Sequence, residues 1–268
     1  MTRDRMLTLG ALAAGLLFLS PVLYSIWMSF QTANAYYTGT LDFTLRNYAV
    51  SIGDYGFARY LMNSIIVSGL VTIAGLAMAT MAAFAFARWT FRGGNLLFAA
   101  VVATLMIPSH ITLIPNYLTL ARVGLLDTYA GLILPAISNG FAAFFLRQYI
   151  RGIPRALDEA AYMDGATPLQ VLWRVIVPVA RPAILSMGLF IFISEWNNYI
   201  WPLVAVSDQD LYTLQIGLAR LYKLNPGEGS IDWPLVMAAS TLTILPVLLG
   251  FLLVERHLVR GITMGAVK

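Results

Sequence analysis

LDEAAYMDGATPLQVLWRVIVP, Leu157 to Pro178, is a polar, punctuated stretch in a chain of which only 11% is charged. Asp158, Glu159, Asp164 and Arg174 lie inside it, and Arg151 and Arg155 just before it. Local chemistry predicts two short helices here. Pro154 suits the first position of a helix, where its missing N–H costs nothing, and Gly165 suits the left-handed position just past a helix end. Thr167 reads as an N-cap, with Pro168 at the first position and Gln170 completing a capping box. The second helix then runs from Pro168 toward Pro178, and the chain turns sharply at Gly165. Ala160 and Ala161 leave the middle of the first helix nearly bare, so another surface can approach its backbone amid charge from Asp158, Glu159 and Asp164. The same residues also fit a solvated helix pair lying on a membrane surface.

Outward from this stretch the chain is greasy. With 59% hydrophobic residues and a mean hydropathy of +0.75 it lies far above the roughly 45–50% apolar usage of soluble domains. Six apolar segments fall at about 6–30, 60–86, 96–118, 129–146, 184–204 and 235–254, and none contains lysine or arginine. Each approaches or exceeds the roughly 20 residues needed to cross hydrocarbon as a helix and is far longer than a barrel strand of about 9–11. The expected fold is therefore an all-α integral membrane protein, one transmembrane domain over 1–268. A β-barrel is excluded. The first segment follows Arg3 and Arg5 like a signal peptide, but its apolar core exceeds the roughly 7–15 residues of such peptides, and it reads as a retained helix.

Charge placement orients the segments. With the N-terminus inside, one set of loops receives Arg3, Arg5, Arg88, Arg92, Arg147, Arg151, Arg155, Arg174, Arg181, Arg256, Arg260 and Lys268. The other set receives Arg46, Arg59, Arg122, Arg220 and Lys223. That imbalance places both termini, and the loop at about 147–183, in the cytoplasm. The net charge of +4 does not point to nucleic acid, and the absence of cysteine rules out disulfides and thiolate metal sites. There is no G-x-x-x-x-G-K-[ST] phosphate loop, no H-E-x-x-H and no G-x-S-x-G. The chain cannot bind ATP through a loop of that kind.

Within the segments, Gly75, Ala79, Ala83 and Ala87 form a ridge of small residues suited to close helix packing. Pro108 and Pro115 should kink or unwind the third segment, and His110 between them reads as a packing histidine. In the fifth segment Ser194, Asn197, Asn198 and Trp201 recur at three- and four-residue spacing, with Glu195 at the edge of that face. Glu195 falls some 16 Å along a core about 30 Å thick. A carboxylate at that depth faces a cavity or a polar partner. Amides beside an aromatic ring suit a neutral hydroxylated ligand, although the same residues also serve to tie the helix to its neighbours.

Glu159-Ala160-Ala161, three residues, Gly165, nine residues and then Val175-Ile176-Val177-Pro178 with Pro178 closing it resembles the EAA motif of ABC importer permeases, E-A-A-x3-G-x9-I-x-L-P. Val175 and Val177 replace the usual Ile and Leu. The resemblance extends over nearly the whole chain and is to the second permease of the maltose-type carbohydrate importers. It rests also on Leu41 to Tyr48, Ala85 to Arg88, Gly124 to Tyr129, Trp196-Asn197 with Trp201-Pro202-Leu203, Thr213-Leu214-Gln215 and the tail Gly261 to Lys268. It implies a type I ABC importer permease fold in a bacterial or archaeal plasma (inner) membrane. It further implies a second, different permease, two ABC ATPase subunits and an extracytoplasmic solute-binding protein as partners, besides membrane lipid. By this likeness the chain is not itself an enzyme, holds no cofactor or metal, and relies on ATP and Mg bound by the partner ATPases. The residues carried over for ATPase coupling are Asp158, Glu159, Ala160, Ala161, Asp164, Gly165, Pro168 and Pro178. The substrate class implied is a carbohydrate, a di- or oligosaccharide. Asp208-Gln209-Asp210-Leu211, Gly227-Glu228-Gly229, Trp233 and Val236 to Ala239 also resemble glycerol-3-phosphate permeases of the same family. A self-powered secondary transporter is the competing class, but no repeat is visible and Glu195 is the lone carboxylate within the segments.

Overall fold

Apolar segments of this length become helices because a backbone without water must satisfy its own N–H and C=O groups. The computed structural model describes residues 3–108, 110–222 and 231–265. Among them every regular element is helical, apart from one antiparallel bridge between Gln31 and Phe43. Three helices are long and apolar enough to cross a membrane, Arg5–Ser29, Phe57–Arg88 and Trp233–Leu252, and two bent pairs bring the number to five if each is one span. The residues Gly227, Glu228 and Gly229, and the tail beyond 265, lie outside the described residues.

The chain divides into two compact units. The first comprises Met1–Leu61 and Leu214–Pro246. It contains α1 (Arg3–Ser29), α2 (Ala33–Thr38), α3 (Arg46–Gly53) and the start of α4 (Phe57–Arg88). Its polar clasp is Asn47, whose amide donates to the carbonyls of Ser29 at 2.9 Å and Gln31 at 2.8 Å, fixing α3 against the end of α1. No residue of the apolar window of α1 is buried within this chain.

The second unit comprises Met62–Thr213 and Val247–Lys268. Its core includes Val71, Leu146, Ile150, Val171, Ile176 and Ile191, all at most 1% exposed. The small-residue ridge on α4 is packing, as expected: Ala79, Ala83 and Ala87 are buried, and a Cβ at Gly75 would stand 3.0 Å from the Ile137 carbonyl oxygen. Near the start of α4, buried Asn63 donates to the carbonyls of Asp210 and Tyr212, both at 2.9 Å, and accepts from the Tyr129 hydroxyl at 2.6 Å.

The remaining apolar segments are broken or bent, several of them beside prolines. Helix α5 (Gly94–Thr104) gives way to turns around Pro108 before α6 (Leu113–Arg122) resumes, with Pro115 tolerated in its first turn. Helices α7 (Tyr129–Ile137) and α8 (Gly140–Arg151) meet at a 42° bend, where Asn139 caps the Ala142 N–H at 2.9 Å. Beyond α9 (Ala156–Met163) and α10 (Pro168–Val171) comes a π-helical turn over Leu172–Ile176. Pro178 cannot donate to the Arg174 carbonyl, and the Val177 N–H reaches back five residues to Leu172 instead. Helix α11 (Val177–Val179) then turns at buried Ala180 into α12 (Arg181–Trp196), an 84° change of direction at Pro182. Helix α13 (Ile200–Ala205), α14 (Leu214–Leu221) and α15 (Trp233–Gly265) complete the order.

Candidate functional site

The loop that opened the sequence reading forms the expected helix pair. Gly165 adopts φ +81°, the left-handed turn that separates α9 from α10. Thr167 accepts from the Gln170 N–H, the Gln170 side chain accepts from the Thr167 N–H at 2.8 Å, and Pro168 stands at the start of α10. Pro178 lies in α11. The faces of α9 are divided: Glu159, Ala160, Met163 and Asp164 are exposed, Ala161 is half-buried, and Asp158 is turned inward. Met163 is 88% exposed, and Leu157, Tyr162 and Leu169 are exposed beside it. These apolar side chains stand out beside the exposed charges as a short, capped knob.

The knob is tied to α4 by a buried ion pair. Arg88, in the last turn of α4, places Nε 2.6 Å from Oδ2 of Asp158, with the two side chains 5% and 10% exposed. Its Nη2 also donates to the Ile153 carbonyl at 3.1 Å, so one guanidinium holds both α9 and the chain leading into it. Burial pushes the Asp158 carboxyl up from the usual carboxylate range, against the pull of Arg88 and then Arg155. The pair was not visible in the sequence, because its members are separated by the whole of α5 to α8. Asp158 serves here as an inward anchor, while Glu159 and Asp164 carry the exposed charge of α9.

A separate polar site forms where α12 ends and α13 begins. Pro202 cannot donate to the Asn198 carbonyl, and the helix expected to run unbroken to 204 opens at Asn197 to Tyr199. Ser194, Glu195, Asn197, Asn198 and Trp201 line one cavity of about 580 Å³ with His110 and Leu113. A smaller cavity of about 180 Å³ shares Leu113, Glu195, Asn198 and Trp201 and adds Thr112 and Asn116. The five expected residues are thus brought together, although by a broken helix rather than one continuous face. Their hydrogen bonds differ in purpose. Asn198 donates to the Glu195 carboxylate at 3.2 Å, Asn197 is spent on the Ile193 carbonyl, and the buried Trp201 indole donates to the Gly131 carbonyl at 3.2 Å. Glu195 and Asn198 are therefore the polar pair facing the cavity, with Trp201 as an anchored wall.

Sequence reasoning assigned packing to His110 and overlooked Thr112 and Asn116. His110 is exposed and lines the larger cavity. The available signal was the i, i+4 spacing of Thr112 and Asn116 directly after Pro108, polar residues that an apolar segment keeps only for an interior face. Among the described residues no cluster of three or more His, Cys, Asp or Glu is placed to hold a metal ion.

Residues 72–264 match the protein family described as binding-protein-dependent transport system inner membrane component. The chain is 32% identical over 271 residues to the arabinooligosaccharides transport system permease protein AraQ of Halalkalibacterium halodurans, covering 98% of this chain and 96% of that protein. It is 34% identical over 206 residues to the sn-glycerol-3-phosphate transport system permease protein UgpE of Pectobacterium atrosepticum, covering 77% of this chain and 73% of that one. In three dimensions it matches a chain of a bacterial ABC transporter involved in the import of the acidic polysaccharide alginate. That superposition has a TM-score of 0.83 at 27% identity and covers 96% of this chain and 98% of the other.

Removing one partner of a buried ion pair leaves an uncompensated charge, at a cost of about 3–5 kcal/mol. Arg88→Ala is expected to lower the thermal unfolding midpoint of the purified protein and to expose the segment around Ile153 to protease. The exchanged pair Arg88→Asp with Asp158→Arg should recover part of the loss. Equal melting of wild type and Arg88→Ala would remove the pair from the account.

Proposed function

This chain belongs to the family of binding-protein-dependent transport system inner membrane components, and from that premise we propose that it is a permease subunit of an ATP-driven ABC importer for a neutral oligosaccharide. The observation that carries the reading is the capped α9–α10 knob locked to the end of α4 by Arg88 and Asp158. A short exposed helix fixed rigidly to a long apolar one passes a push or pull on its tip to the span behind it. Two ATPase subunits, binding ATP and Mg, would seat on the exposed face of α9 and on its counterpart in a second permease. Their closing and reopening would switch the paired permeases between inward- and outward-facing states, with nucleotide supplying the difference in affinity that such a switch requires. An extracytoplasmic binding protein would deliver the solute. The chain itself then needs neither cofactor nor catalytic residue.

The arginine distribution supports an orientation with both termini and the α9–α10 loop in the cytoplasm. Six spans follow if α5 and α6 together make the third. Both compact units would serve this one permease.

The cavity beside α12 supports the substrate class. At about 580 Å³ it falls within the roughly 300–1,000 Å³ of small-molecule sites. Its described lining offers a carboxylate, amides and an aromatic wall, with neither lysine nor arginine. That chemistry suits hydroxyl groups, and the relative named for arabinooligosaccharides matches nearly the whole chain. The relative named for glycerol 3-phosphate favours a phosphorylated solute. A phosphate beside Glu195 would meet like charge, with no lysine or arginine in the described lining.

Three measurements bear on this reading. Met163→Cys in this cysteine-free chain should react with an impermeant thiol reagent only after the membrane is opened; labelling from outside intact cells would reverse the orientation. Glu159→Lys should leave the protein inserted but separate ATP hydrolysis from uptake in the assembled complex, and unchanged coupling would leave the knob without a role. Asn198→Ala should lower oligosaccharide uptake on the order of tenfold, the worth of one hydrogen bond to a charged group, while the complex stays assembled and its ATPase still responds to loaded binding protein. Loss of assembly in step with uptake would make the polar pair structural.

A further inference from the structure

A second cavity, of about 240 Å³, opens where α4 ends and α5 begins. Arg147 and Arg151 on α8 and Arg155 at the entrance to α9 line it, opposite Trp89, Phe91 and the first turn of α5. None of its described lining residues is acidic. Asp158 on α9 feels the charge of Arg155 but is committed to Arg88.

Three observations set this cluster apart from an ordinary basic loop. Arg147 and Arg151 stand four residues apart on one helix, an arrangement that costs rather than gains energy unless an anion lies between them. Arg147 is held in place by donating to the Phe86 carbonyl at 3.2 Å and by lying 3.8 Å over the centre of the Phe98 ring. Its charge is thereby fixed at the cavity wall instead of extending into water. Helix α5, eleven residues long, begins at the same cavity behind Gly93 with no side-chain cap, so its first turn adds donors and the positive end of a helix dipole. Arg92, Arg174 and Arg181, which belong to the same set of loops, do not line it.

We propose that this cavity binds a phosphate group at the cytoplasmic surface of the membrane. Guanidinium forks match the oxygens of a phosphate in pairs, which a single diffuse charge does not require. Trp89 is 51% exposed at its rim beside exposed Phe91, and tryptophan is a residue type enriched at the headgroup level of a bilayer. The phosphate can come from an anionic phospholipid, which enters from the side, or from a soluble phosphate, which enters from the cytoplasm. In either case occupation would brace the joint between α4, α5 and α8, directly behind the knob. The placement in the cytoplasm rests on the orientation proposed above; the binding does not.

The test uses the assembled importer in phosphatidylcholine nanodiscs with and without phosphatidylglycerol. Native mass spectrometry reads the phosphatidylglycerol retained, and calorimetry reads inorganic phosphate titrated into the discs that lack it. Among the described residues Arg151 is exposed and has no side-chain hydrogen bond or ion pair to lose, and Arg151→Gln is expected to weaken the bound probe on the order of tenfold, the worth of one charge-assisted hydrogen-bond pair. Arg151→Lys, which keeps the charge, should restore part of it. Retention of phosphatidylglycerol with no heat from phosphate assigns the site to lipid; the reverse assigns it to a soluble anion. If the wild type takes up neither probe, or if Arg151→Gln binds as the wild type does, the site does not exist. Neither readout depends on transport, so its failure would leave the importer reading standing.

Discussion

A charge withdrawn from water must be matched, and the contact between Arg88 and Asp158 is where this protein meets that requirement most sharply. Both side chains are nearly inaccessible, and the arginine also takes a backbone carbonyl of the segment that leads into α9. Guanidinium suits the position because its planar fork serves two acceptors at once and stays charged when buried. At the far end of α4, Asn63 gathers two carbonyls and a hydroxyl. The two anchors are 25 residues apart on one helix, roughly 37 Å at 1.5 Å per residue. The part of α4 that lies in the second unit is thus pinned near both of its ends.

Elsewhere the chain does the opposite and interrupts its helices. Pro108, Pro178, Pro182 and Pro202 each withhold a backbone donor, and each sits at or just beyond a break, a widened turn or a bend. Exposed backbone is costly in hydrocarbon, so such breaks survive where protein or a water-filled cavity receives the freed groups. The opening between α12 and α13 meets that condition. It brings Glu195 and Asn198 to the cavity and leaves Trp201 braced against α7.

How much of this was legible follows the range of the interactions. The capping box at Thr167, the left-handed Gly165 and the small-residue ridge of α4 are local or periodic signals, and the structure carries them as read. The helical class follows from segment length alone. The Arg88–Asp158 pair was hidden because no local rule links residues 70 positions apart. The third segment was written as one span, yet Pro108 interrupts it over eight residues, more than the single unwound turn that proline chemistry by itself predicts. The polar face of the fifth segment was found on the premise of a continuous helix. Its residues converge all the same, because the break at Asn197 preserves their side of the chain. His110 was read as packing and Asn116 was passed over, since their closeness to Glu195 exists only in the folded unit.

Helix α1 meets such constraints at its end, where Asn47 holds the Ser29 carbonyl. Its apolar window has no buried residue, and it lies before residue 72, where the family match begins. Along that window no buried contact within this chain specifies its packing. What matters for such a window is how long the apolar stretch is relative to the local bilayer, since mismatch costs a fraction of a kcal/mol per Å. Its apolar length, more than any one side chain in that window, is then what matches the helix to the thickness of the lipid.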